Sequence, residues 1–170
     1  LLHLLTDDEH RFPLEVLAKH PIYELKDLQK AKLKPFLLKR ENYPHNTVAM
    51  AIIYRQLYLQ NLAGDNESIE FIISRIKAET DAQKALNASL EIADIVKRMG
   101  NNSLKDLLVE DNPAFNTKLF NKIEAYQKLS AAGAFADDYI LQNKFLESFI
   151  PDIENIRDAE LKNSYYDIFI

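Results

Sequence analysis

Four histidines, His3, His10, His20 and His45, all fall within the first 45 residues. Histidine is the commonest metal ligand and the natural proton carrier near neutral pH. Asp7, Asp8 and Glu9 run directly into His10, so a metal or acid–base site would be assembled there. The ligand spacing does not support one: there is no HExxH or similar motif that sets two ligands on one helix face. Three acids followed by histidine is the ordinary make-up of a solvated helix N-terminus, where the backbone dipole favours anions. No metal ligands, cofactor or catalytic residues are therefore assigned. The absence of cysteine excludes disulfides, thiolate metal sites and cysteine nucleophiles, and it leaves a reducing, cytoplasmic setting as the expectation. Only three glycines occur, Gly64, Gly100 and Gly133, each alone. Phosphate-cradling loops need clustered glycines so that backbone amides can approach the ligand, and none can form.

Cationic side chains form the stronger pattern. Lys26, Lys30, Lys32, Lys34, Lys39 and Arg40 face only Asp27 within their stretch, which carries +5 while the rest of the chain carries −10. On a helix Lys26, Lys30 and Lys34 stand at i, i+4, i+8 and make one basic ridge. Such a ridge can hold a protein partner with an acidic surface. With Phe36-Leu37-Leu38 it could instead lie on an anionic membrane, where each cation contributes about 1 kcal/mol. The net charge of −5 argues against nucleic acid, whose binding needs a basic field. The acidic residues Asp137, Asp138, Glu147, Asp152, Glu154, Asp158 and Glu160 gather near the other end. Adjacent Asp137 and Asp138 diverge by about 100° around a helix, so they make no carboxylate pair.

Positioning falls to a long apolar stretch, Asn46 to Gly64. Twelve of the sixteen residues from Val48 to Ala63 are apolar or tyrosine and occupy every side of the spiral. A helix apolar all round is buried by its neighbours. Asn46 or Thr47 is expected to cap it and Gly64 to end it. Arg55, Gln56, Gln60 and Asn61 leave one narrow wet strip, and Arg55 with Tyr54 and Tyr58 beside it is the place to expect a groove. The partner-binding set read from the sequence is thus Lys26, Lys30, Lys34, Lys39, Arg40, Tyr54, Arg55 and Tyr58.

Downstream, Asp65 or Asn66 should cap a helix carrying Ile69, Ile72, Ile73 and Ile76 at the i, i+3, i+4, i+7 spacing of one buried face. Thr80-Asp81 signals a second start, which predicts a break near Glu79–Thr80, and Gly100 a stop. Ser103 is expected to cap a short helix. Single helices are expected from Asn112-Pro113 to Leu129, from Ser130 to Ile150, and from Pro151 to Phe169. No stretch alternates with period two.

The fold class is all-α: about eight helices in an irregular bundle or an α-solenoid-like stack. Three helix starts, Asp8–Ala18, Pro44–Ala51 and Gly100–Leu107, also resemble the turn-plus-helix opening of ankyrin repeats, with Leu14, Ala49 and Leu104 in equivalent places. Those residues are 35 and 55 apart, and the first interval approaches the roughly 33-residue ankyrin period. The resemblance implies a degenerate ankyrin-like helical repeat as the alternative fold. At 170 residues the chain suits one domain, 1–170, with short basic helices over 1–45 and a long-helix core over 46–170. Leu1 reads as the start of a piece of a longer protein. The functional expectation is a non-catalytic protein–protein interaction module. Abundant Asn, Lys and Ile suit an AT-rich genome and hence a bacterial effector or regulator, acting in a host cytoplasm if an effector. The alternatives are a ligand-binding or metal-dependent helical enzyme domain and a peripheral membrane binder.

Overall fold

The computed structural model describes residues 47–61, 64–135 and 138–168. Every regular element among them is helical. In order they are α1 (Thr47–Leu59), α2 (Asn66–Lys77), α3 (Ala82–Met99), α4 (Asn102–Val109), a 3-10 turn (Pro113–Phe115), α5 (Leu119–Ala131), α6 (Tyr139–Glu147), α7 (Ile150–Glu154) and α8 (Ala159–Tyr166). Over the described residues the chain is all-α. The four histidines, the Lys26–Arg40 ridge and the first ankyrin-like start lie outside them.

α1 is buried as its composition requires, with Met50, Ala51, Ile53, Tyr54 and Leu57 each at most 2% exposed. Its most extensive partner is α3, and α2 packs on both. Arg55 reaches from α1 to α3, donating to the Glu91 carbonyl (3.1 Å) and to Asp94 Oδ1 (3.0 Å). The helix ends earlier than expected. Gln60 N donates to the Gln56 and Leu57 carbonyls, and Asn61 takes the left-handed conformation at φ 57°. Asparagine tolerates that conformation through its short polar side chain, so Asn61, not Gly64, stops the helix.

α2 and α3 carry strong caps. Asp65 accepts from Ser68 N (2.9 Å) and Ser68 Oγ (2.7 Å), and Asp81 accepts from Gln83 N (2.9 Å) and Lys84 N (3.1 Å). The break between Lys77 and Ala82 falls where two N-terminal signals demanded it. Ile69, Ile72, Ile73 and Ile76 are each at most 1% exposed. Each contributes about 1.5–3 kcal/mol by area, as an upper estimate. Gly100 ends α3 at φ 65°. α4 is capped by Asn101, which accepts from Ser103 N (3.0 Å), and not by Ser103. Asparagine one residue earlier reaches the orphan amide, and Ser103 Oγ donates to the same oxygen.

Each of the last three expected helices is divided. Asn112 caps only a single 3-10 turn, after which Asn116 leaves helical geometry at ψ 55° and α5 begins at Leu119. Asn and Thr at 116–117 are weak helix formers whose side chains compete for backbone groups. α5 runs through Ser130 to Ala131, and Gly133 turns the chain at φ 90° where a Cβ would stand 3.1 Å from Lys97 Cδ. Asp138 then caps α6 by accepting from Leu141 N (3.0 Å). Asp158 likewise starts α8 by accepting from Leu161 N (3.0 Å), so α7 and α8 are separate. Leu161 of α8 is 47% exposed.

Candidate functional site

A cleft of about 970 Å³ opens between the α2–α3 turn, the loop after α4 and the face of α6 that continues into α7. Its base is aromatic. Phe115 and Phe145 meet edge to face with centroids 4.3 Å apart, and Phe149 meets Phe145 at 5.3 Å. Tyr126 and Phe135 extend the cluster behind them, at 6.3 and 5.6 Å from Phe145. Each such pair is worth about 0.5–1.5 kcal/mol beyond area burial, so the base is stiff. Phe115 and Phe145 are half-buried and Phe149 is buried. Tyr126 keeps its hydroxyl at the edge, accepting from Gln142 Nε2 (2.9 Å).

The loop is held by Asn112, whose side chain is buried with all its groups engaged. Its Nδ2 donates to Ser89 Oγ (2.9 Å) and to the Leu108 carbonyl (2.7 Å), while Oδ1 accepts from Ala114 N (3.0 Å). Asp111 beside it has φ 53°, a conformation Asp tolerates.

Charge surrounds the aromatic base. Lys144 Nζ of α6 donates to Glu110 Oε1 (2.9 Å), and Lys122 Nζ donates to Asp152 (2.6 Å). Glu110 is held below the usual glutamate value by the Lys144 hydrogen bond first, then by the fields of Lys144 and Lys77. Lys144 is raised in return by the same bond to Glu110. Glu79 is already committed: it accepts from Thr47 Oγ1 (2.9 Å), Thr80 N (2.9 Å) and Asp81 N (3.2 Å). Partial burial raises its pKa, but these hydrogen bonds and the Lys84 field outweigh that and the net shift is downward.

The sequence-predicted trio is dispersed. Tyr54 is 2% exposed and points into the core, Arg55 is taken up by α3, and Tyr58 borders a separate hollow of about 420 Å³ with Asn61, Gly64, Asn66 and Met99. Lys26, Lys30, Lys34, Lys39 and Arg40 lie outside the described residues. The lysines and phenylalanines of the cleft went unassigned in the sequence because they come from distant segments. One signal was present: Lys144 with Ser148, and Phe145 with Phe149, each at i, i+4.

Among the described residues no group of three or more His, Asp or Glu side chains could hold a metal ion, and no helix is long and apolar enough to cross a membrane. Set beside protein families, curated proteins and solved structures, the chain matches none.

Proposed function

We propose that this chain is a non-catalytic helical interaction module that binds a partner protein with an acidic surface. The observation that carries the reading is the cleft itself, about 970 Å³ with Phe115 and Phe145 at its base and Lys77, Lys122 and Lys144 interspersed with Glu79, Glu110 and Asp111 around it. Aromatic anchors ringed by polar groups are the usual energetic centre of a protein interface. Lys26, Lys30 and Lys34, with Lys39 and Arg40, make a basic stretch in the same chain. Tyr54, Arg55 and Tyr58 all belong to α1, where Tyr58 borders the smaller hollow of about 420 Å³. An irregular bundle of one domain, acting in the cytoplasm, is the arrangement this reading assumes.

Quantitative affinity capture tests it, comparing wild type, the charge-reversed K26E/K30E/K34E protein and the cleft-blocking S148W protein. Specific partners should be lost from at least one variant; identical retention on all three rejects both surfaces. A second reading, a small-ligand site, is favoured by the cleft volume, which falls in the range of about 300–1,000 Å³ typical of such sites. A thermal-shift screen in which no compound stabilises wild type more than S148W would remove it.

A further inference from the structure

We propose that α8 is a releasable strap: it detaches and unwinds as a unit while α1 to α5 stay folded, and the carboxylate of Glu154 in α7 is the catch that holds it.

None of the eight residues of α8 is buried. Leu161, Tyr165 and Ile168 stand at i, i+4, i+7 and give the segment one apolar stripe, yet Leu161 is 47% and Ile168 37% exposed. The side chains of α8 that pack on the core are Tyr165 and Tyr166, each half-buried. A helix this short does not persist alone in water, and packing of an apolar face is what normally sustains it. α8 therefore keeps its shape only while attached, and little apolar area attaches it. α7 is the element it packs on most extensively, and Ile156, Arg157 and Asp158 between the two lie outside any helix, which provides a hinge.

Polar contacts supply the rest of the attachment, and they converge on one side chain. Lys162 and Tyr166 stand at i, i+4 on one face of α8. Lys162 Nζ donates to Glu154 Oε2 (2.6 Å) and to the Glu154 carbonyl (3.3 Å), while the Tyr166 hydroxyl donates to Glu154 Oε1. Both carboxylate oxygens are thus committed to α8. The Glu154 side chain is 54% exposed, and an ion pair so open to water is weak enough to break and reform. Its loss bares the core surface under Tyr165 and Tyr166.

Native-state hydrogen exchange of wild type, E154A, Y166F and E154A/Y166F tests this, with the amides of α3 as the internal reference for global unfolding. In wild type the α8 amides should exchange faster than those of α3 and respond little to sub-denaturing urea, because a small opening exposes little surface. E154A should speed α8 exchange about two- to five-fold and leave α3 unchanged. Y166F should speed it less, since the Lys162 bond survives, and should add nothing in the E154A background, where the hydroxyl has already lost its acceptor. Exchange of α8 that rises with urea in parallel with α3 overturns the strap. Unchanged α8 exchange in E154A, or an equal rise in α3, overturns the role of Glu154 as its catch.

Discussion

Replacing Asn112 by alanine removes a buried side chain that ties three pieces of backbone together. Its Nδ2 bonds to Ser89 of α3 and to the Leu108 carbonyl of α4 are lost, together with its Oδ1 bond from Ala114 N in the 3-10 turn. Ser89 keeps a partner, since its hydroxyl donates to the Ala85 carbonyl at 2.7 Å. Ala114 is 3% exposed, so water cannot readily replace the acceptor for its amide. At about 1 kcal/mol per hydrogen bond the loss is roughly 3 kcal/mol. For a chain of this size that lowers Tm by about 6–12 °C. Urea unfolding at pH 7, with the slope against denaturant checked for constancy, measures it directly. N112D separates the contributions: it keeps the acceptor for Ala114 N but turns a carboxylate toward the Leu108 carbonyl, so it should be no more stable than N112A. A double-mutant cycle with S89A should return a coupling near 1 kcal/mol. A loss below about 1 kcal/mol in N112A, or no coupling to Ser89, would show that Asn112 does not lock the loop.

Tyr54 invites the opposite result. Its hydroxyl is buried with no hydrogen-bond partner among the described residues, so Y54F should stabilise the protein by about 1 kcal/mol, and a destabilisation of that size would refute the burial argument. Burial first, then the fields of Asp65 and Tyr58, raises the Tyr54 phenol above its ordinary 10.0. Its neutral form is therefore favoured by folding, and the associated stability is complete below pH 10 and lost as pH rises further. Y54F should lose less than wild type between pH 9 and 11; parallel losses would contradict this. Glu79 has the reverse sign. Its folded pKa is depressed below the ordinary 4.5, so its contribution is present above that value and disappears as pH falls through the folded value. E79Q should therefore show a shallower acid limb in urea melts taken from pH 7 to pH 3, by less than about 1 kcal/mol because the carboxylate is largely solvated. Equal acid sensitivity of the two proteins would dismiss the latch between Glu79 and Thr47.

What could be read in advance was what depends on local chemistry. The isoleucine face of α2, the all-round apolar α1, the caps Asp65 and Asp81 and the left-handed Gly100 each follow from residues within one or two turns of one another. Asn61 was missed as the end of α1 because a glycine stood three positions further on, and glycine is the stronger general signal. Tyr54 and Tyr58 were read as flanking the wet strip of Arg55 because they are close to it in sequence. Consecutive residues on a helix diverge by about 100°, and here that angle sends Tyr54 into the core and Arg55 across to Asp94. The cleft lay beyond such reasoning, since Lys77, Glu110 and Lys144 line one cleft only when α2, the loop after α4 and α6 are packed.

The misplaced helix boundaries and the cleft have a common origin. A single helix from Pro113 to Leu129 would carry Phe115, Leu119 and Tyr126 along one face, at fixed steps of about 1.5 Å per residue. The interruption at Asn116–Lys118 frees Phe115 to sit edge-on against Phe145 while Tyr126 lies nearly parallel to the same ring, at 4.3 and 6.3 Å. The division at Gly133 and Asp138 does the same for Phe135 relative to α6. These breaks let rings from four segments converge on Phe145, and leave Phe115 and Phe145 only partly buried at the base of an open cleft. The low helix propensity of Asn116-Thr117 is then the sequence feature on which the site depends. Substituting better helix formers there would extend α5 backwards and draw Phe115 away from Phe145.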